Sequence, residues 1–379
     1  MFLYIIIFLF YLIALYVGKS YRNNSNKVIL YYIIPIFLCF GYMTGSDWRM
    51  YELEFYDVSL KLSMKEPSYY LLAQIFNYCG IGFWEFTILY KLIGYYVFLH
   101  FFLKYSNNII WGLIYWFPNY ALFLWIDHPA RNFIAYIIFL FALQYIEKKK
   151  PIQYVTIVLL ASSFHATCLI MLPVYYIINV WKKERYTIWL VVVVAFYLVS
   201  DVLRVFLLQV FEMFGFMDRI APYLQTDAYF DKQVSPLRFL IMLLPIFIAT
   251  ISIEKIRLRF QFADLMLKLS FICIIILCLG NIHYLFFRFH SFLMVPFCVL
   301  VSYICMSFDF KLYYKHSLRA FIILFSFVYM INLITRDSHY IPYSSYLEYI
   351  FQDKPSYHYR AQYNKIHSPY AYKDGENTL

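Results

Sequence analysis

Apolar runs of about 13–21 residues fill most of this chain, and the lysines and arginines between them are sorted by side. Alternate connections are basic, and the others are acidic or mixed. Such a chain has little choice of fold. Apolar surroundings offer no water to backbone N–H and C=O groups, and a helix is the element that satisfies them within one segment. The predicted spans are 2–18, 28–43, 83–103, 109–126, 132–146, 152–164, 166–180, 186–200, 237–253, 269–287, 289–306 and 320–335. This makes an all-α integral membrane protein with about 12 transmembrane helices and both termini outside.

Orientation follows from the basic residues. The inner connections carry Lys19, Arg22, Lys27, Lys104, Lys148, Lys149, Lys150, Lys182, Lys183, Arg185, Lys255, Arg257, Arg259, Lys268, Lys311, Lys315 and Arg319. Their density is more than about twice that of the outer segments, which places the protein in a bacterial inner membrane by the positive-inside rule. Composition agrees: the chain is 63% hydrophobic and 14% charged, against about 25% charged for a soluble domain. The net charge of +10 is spread over short loops rather than gathered in a stripe, so nucleic acid is not an expected partner. No basic stretch precedes the run Phe2–Val17, which reads as a retained first helix. Cys39, Cys79, Cys168, Cys273, Cys278, Cys298 and Cys305 lack metal-ligand spacing and read as small core hydrophobes.

One segment controls the topology. Between Lys150 and Lys182 lies a mostly apolar stretch with basic clusters at both ends. A hairpin keeps both clusters inside. Its arms are then about 20 Å long, short of a ~30 Å hydrocarbon core. The spacing predicts a re-entrant or strongly tilted hairpin with Ser162-Ser163-Phe164-His165 at its tip, which puts His165 near the outer face. Residues 1–335 read as a single polytopic domain with two larger periplasmic segments, 44–82 and 201–236, followed by a polar periplasmic tail, 336–379. Tyr69–Tyr78 is too short to span and reads as an interfacial or re-entrant helix; residues 201–236 read as holding an amphipathic one.

Soluble catalytic signatures are missing. Gly18-Lys19-Ser20 resembles the end of a P-loop, but Ile13 stands where that loop needs glycine. There is no His-Glu-x-x-His, no Gly-x-Ser-x-Gly and no Asp-x-Asp. A diphosphate would therefore be neutralised by arginine, whose planar multi-donor head grips phosphate oxygens. Arg131, Arg219 and Arg288 stand at outer helix ends or in the outer loop, near His165 and His290 in depth. Snorkelling to headgroups is the plain alternative for each arginine. Asp47 and Glu66 are the nearby carboxylates, and with His165 they are the candidate acid–base groups. Glu85 and Lys91 in the third span stand about 240° apart around the helix, so each needs its own partner.

The pattern Gly45-Ser46-Asp47 with Tyr51, then Glu66-Pro67-Ser68-Tyr69-Tyr70-Leu71-Leu72, is followed by Arg131-Asn132-Phe133-Ile134-Ala135 opening a helix. Leu160-Ala161-Ser162-Ser163-Phe164-His165-Ala166, Arg288 before a helix with Pro296, and Ile341-Pro342-Tyr343 complete it. In these residues the chain resembles the Wzy-type polysaccharide polymerases, in their EpsG-like branch. It departs from them at Asn132, where the family shows glutamine after the arginine. The resemblance implies a GT-C-like membrane glycosyltransferase facing the periplasm, which needs no metal or other cofactor. Its partners would be the bilayer, the undecaprenyl-diphosphate-linked glycan donor and acceptor of O-antigen, capsule or exopolysaccharide synthesis, and a chain-length regulator. On that reading Arg131 and Arg288 bind diphosphate, while Asp47, Glu66 or His165 orients or deprotonates the acceptor hydroxyl. Arg219, Tyr223, His290 and Tyr51 hold glycan. A ligase acting on another acceptor and a lipid-linked-oligosaccharide flippase are the rival expectations.

Overall fold

The computed structural model describes the chain except for residues 18–23, 58–65, 107, 128, 182–184, 214–233, 282–288, 308–311, 337 and 369–379. It is helical nearly throughout, with one two-stranded ladder, and it divides into two compact units. Unit 1 is residues 1–140, 159–166 and 309–379; unit 2 is residues 141–158 and 167–308.

In unit 1, helix α1 is Phe2–Val17. The next helix, α2, runs over Asn24–Val28, widens to π over Ile29–Ile33 and returns to α over Ile34–Cys39. Pro35 supplies a reason for the widening, because it lacks the N–H that an α-turn requires. Short helices α3 (Trp48–Tyr56) and α4 (Pro67–Tyr78) follow, then the long α5 (Phe83–Tyr105). Helix α6 (Ile110–Trp116) passes into a π-helix, Phe117–Asp127, at Pro118. Helix α7 is Ala130–Glu147. The core here is aromatic: Phe98 stacks on Trp116 at 4.1 Å, and Trp125 meets Phe133 edge-on at 4.7 Å. Helix α15 is Leu312–Arg336, and described residues beyond it form further elements. Strand β1 (Gly41–Tyr42) pairs antiparallel with β2 (Ser344–Ser345), and helix α16 is Tyr357–His367.

The predicted hairpin forms. Helix α8 (Pro151–Phe164) breaks at His165, and a 3₁₀ turn, Ala166–Met171, leads into α9 (Leu172–Val180). Tyr154 donates to the Met171 carbonyl at 2.6 Å and its ring lies 5.3 Å from Tyr175. Residues about equally far from the tip thus meet, so the arms run antiparallel.

Unit 2 also holds α10 (Tyr186–Met213), α11 (Pro236–Ile251), α12 (Ile253–Arg259), α13 (Ala263–Leu279) and α14 (Met294–Ser307). Helix α10 continues well past the expected end at 200, so the helix expected in 201–236 begins as an extension of the span. Lys268 also differs from expectation. It lies inside α13 rather than in a connection, and its ammonium donates to the carbonyls of Ile178 at 2.9 Å and Trp181 at 2.7 Å. A helix C-terminus leaves its last carbonyls without intrahelical donors, and Lys268 serves those at the end of α9. Lys268→Met should therefore lower stability by about 1–3 kcal/mol, read as a lower thermal midpoint in detergent.

Among the described residues four helices are long and apolar enough to cross a membrane: Phe83–Tyr105, Ala130–Glu147, His290–Ser307 and His316–Arg336. The pair α11 and α12, bent by 77°, makes up to a fifth. Shorter apolar helices cover Phe2–Tyr16, Asn26–Cys39, Pro151–Phe164, Ala166–Val180 and Tyr186–Ser200. This is an all-α, multi-pass membrane protein. Six of the cysteines are buried and Cys79 is exposed.

Candidate active site

Four stretches of unit 1, far apart in sequence, meet around Glu66. Pro67 occupies the first turn of α4, where its missing N–H costs nothing, and it fixes where that helix starts. Glu66 is thereby held just outside the helix, with Ser68, Tyr69 and Tyr70 in the first turn. Arg131 opens α7. His165 breaks the hairpin at its tip. Tyr51 lies on the buried face of α3.

Glu66 bridges an arginine and a histidine. Arg131 Nη1 lies 2.9 Å from Glu66 Oε2, and His165 Nδ1 lies 2.5 Å from Oε1. The Ala166 N–H also donates to Oε1 at 3.2 Å, so Glu66 caps the start of the second hairpin arm. Ser68 donates to Ser163 Oγ at 2.7 Å, a second tie between α4 and the tip. Arg131 Nε donates to the Tyr51 hydroxyl at 3.1 Å and Nη1 to the Tyr70 hydroxyl at 3.3 Å. The guanidinium also sits 5.3 Å from the Tyr51 ring centre.

Electrostatics follow from this packing. Burial pushes Glu66 up, but the hydrogen bond and charge of His165, the Arg131 guanidinium and the Ala166 N–H together outweigh it and hold the carboxyl below its usual value. Glu66 is therefore ionised at neutral pH and can only accept. His165 Nδ1 must then carry the hydrogen, which leaves the lone pair on Nε2. Burial pushes the Tyr70 hydroxyl up to about 12, so it stays protonated and donates to Glu54 at 3.2 Å. A depressed carboxyl contributes stability above its unfolded value and loses it as pH falls through the folded one. The stability gap between wild type and Glu66→Gln should accordingly not shrink between about pH 7 and 5, and should fall only below about pH 4. Thermal midpoints across that range check this.

Both partners of Glu66 are more exposed than Glu66 itself. The side chains of Arg131 and His165 remain 20% and 18% exposed, against 9% for Glu66 between them. Among the described residues, Arg131 Nη2 and His165 Nε2 have no protein partner. Next to Arg131, Asn132 is buried with both amide atoms unpaired among the described residues.

Asp47 belongs to a neighbouring knot. Asp127, the last residue of the π-helix, accepts from the Ser46 N–H at 2.9 Å and from Ser46 Oγ at 2.7 Å. Asp47 Oδ1 lies 3.1 Å from the same hydroxyl. Lys91, buried in α5, faces the charge of Asp127. Glu85 instead pairs with Lys354 at 2.7 Å and with the Tyr346 hydroxyl. The two charges of the third span thus have separate surroundings. His290 lies in unit 2, buried, with its carbonyl accepting from Cys273 Sγ at 3.6 Å. Arg288, Arg219 and Tyr223 lie outside the described residues. Among the described residues no three His, Cys, Asp or Glu side chains converge as metal ligands would.

Tyr70, Ser68 and Ser163 were not singled out from sequence, although the Glu66-Pro67 helix start places Tyr70 within one turn of Glu66. Comparison with curated proteins gives no match, and comparison with solved structures gives none. The model of the EpsG family matches residues 28–345, an interval that contains Asp47, Tyr51, Glu66, Tyr70, Arg131 and His165 and most of the 379 residues, so the chain belongs to the EpsG family.

Proposed function

We propose that this protein is a metal-independent polysaccharide polymerase that joins undecaprenyl-diphosphate-linked oligosaccharide repeat units at the periplasmic face of the inner membrane. The observation that carries the reading is Glu66 bridging Arg131 and His165, with the side chains of both partners partly exposed. Family membership supports the reaction class. Sequence patterning supports the orientation and the full set of about 12 spans in a GT-C-like arrangement.

The step balances as follows. The acceptor sugar hydroxyl gives its proton to His165 Nε2, and its oxygen forms a bond to the anomeric carbon of the donor glycan. The bond from that carbon to the diphosphate oxygen breaks, and undecaprenyl diphosphate leaves with the electron pair. Glu66 keeps the imidazole in the basic tautomer and favours the imidazolium that forms. Arg131 takes up the charge developing on the diphosphate, a role that the family resemblance gives to Arg288 as well. Asp47, tied to Ser46, shapes the loop before α3 rather than moving a proton. The segments 44–82 and 201–236, with Tyr51, Arg219, Tyr223 and His290, hold glycan, and a chain-length regulator acts on the growing product.

The test uses purified protein in nanodiscs with its lipid-linked repeat and EDTA, read as a gel ladder. A ladder that disappears in His165→Ala is the expected result. Transfer of a single repeat without a ladder would make the protein a ligase. Movement of the lipid-linked repeat across a liposome bilayer without bond formation would make it a flippase.

A further inference from the structure

The C-terminal segment beyond residue 345 lies outside the interval that the family model matches. It is nonetheless built into the site's support. Arg360 on α16 is 8% exposed and its Nη1 lies 2.5 Å from Oε2 of Glu52, which is 4% exposed on α3. The other oxygen of Glu52 accepts from the Trp84 indole N–H at 3.2 Å. The Arg360 guanidinium is 5.8 Å from the ring centres of Trp48 and Tyr357 and 5.9 Å from that of Tyr42. Arg49, also on α3, donates from Nε to the Ala361 carbonyl at 2.9 Å, and the Tyr357 hydroxyl donates to the Arg49 carbonyl at 3.1 Å.

Helix α3 buries Trp48, Tyr51, Glu52 and Phe55 on one face. A carboxylate on such a face is tolerated only with a counter-charge, and Arg360 supplies it. Tyr51, the neighbour of Glu52, accepts a hydrogen bond from Arg131. We infer that Arg360 is a positioning residue, carried on a C-terminal strap, that seats α3 so that Tyr51 meets Arg131. The inference rests on the proposed role of Arg131 only in its activity readout.

The experiment compares Arg360→Met, Arg360→Lys, Glu52→Gln and the double variant Glu52→Gln/Arg360→Met in the full-length protein. Amide hydrogen exchange across residues 48–56 and the polymerisation ladder are measured together. Arg360→Met, which strands the Glu52 charge, should raise exchange across 48–56 by about tenfold or more and weaken the ladder. Arg360→Lys should recover part of both. The double variant removes the stranded charge and should return exchange to within about threefold of wild type. A purely bulk packing role for Arg360 would leave the double variant as exposed as the single one. Wild-type exchange in Arg360→Met, or no recovery in the double variant, overturns the inference. If the polymerase reading itself is wrong, the ladder is missing from wild type too, while the exchange pattern still decides the positioning role.

Discussion

Arg131→Ala is expected to slow chain growth by about 100-fold or more, equivalent to about 3 kcal/mol of lost transition-state stabilisation. The guanidinium is oriented by two tyrosine hydroxyls and one carboxylate, so it is held in place before any substrate arrives. Such preorganisation means that no reorganisation is needed when charge develops on the leaving diphosphate. Arg131→Lys should recover little, because an ammonium cannot reach Tyr51, Tyr70, Glu66 and a phosphate from one planar head. Glu66 keeps His165 and the Ala166 N–H in the alanine variant, so the hairpin tip remains tied and the protein remains folded. Ladder growth against time, beside an unchanged size-exclusion profile, measures the effect. A wild-type rate in Arg131→Ala would remove the arginine from the mechanism.

The second large effect concerns the loop beneath the site. Gly45 has φ +86, and a Cβ there would lie 2.1 Å from the Ile126 carbonyl oxygen and 2.8 Å from the Asp127 Cα. Both the left-handed backbone and the contact forbid a side chain. Gly45→Ala should cost about 4 kcal/mol or more, because the loop must leave the end of the π-helix. That displacement breaks the Ser46–Asp127 hydrogen bonds and moves the start of α3. Gly80 is the internal control: its φ is +75, but nothing lies within 4 Å of a Cβ built on it. Gly80→Ala should cost only about 1–2 kcal/mol from backbone strain. Thermal midpoints of the two variants compare them directly, and equal shifts would refute the contact argument.

Much of this arrangement was legible in the sequence because membrane topology fixes depth. Lys150 and Lys182 bracket an apolar stretch that the positive-inside reading expects to return to its own side, and the helix break falls at His165. The same depth argument singles out Arg131 and His165 together with Arg219, Arg288 and His290, and adds Glu66 as a nearby carboxylate. What it could not supply was their pairing, since Glu66 and His165 are 99 residues apart and no period links them. Lys268 was misplaced for a related reason: hydropathy cannot distinguish a loop lysine from one that caps another helix. The tail reads as polar, and the structure differs from that reading, since its Arg360 and Asn364, one helical turn apart, are both buried. The carboxylate that Arg360 pairs with, Glu52, lies at the other end of the chain and leaves no trace in local patterning.

That distance has a consequence for biogenesis. Glu52 leaves the ribosome 308 residues ahead of the arginine that neutralises it. At about 5–20 residues per second, the interval is about 15–60 s. Throughout it the nascent chain carries a carboxylate that must stay hydrated, so the α3 segment cannot settle into its final seat during insertion. The packing of α3 against its counter-charge is thereby postponed until Arg360 has emerged, and a chain cut short before that point would lack the contact.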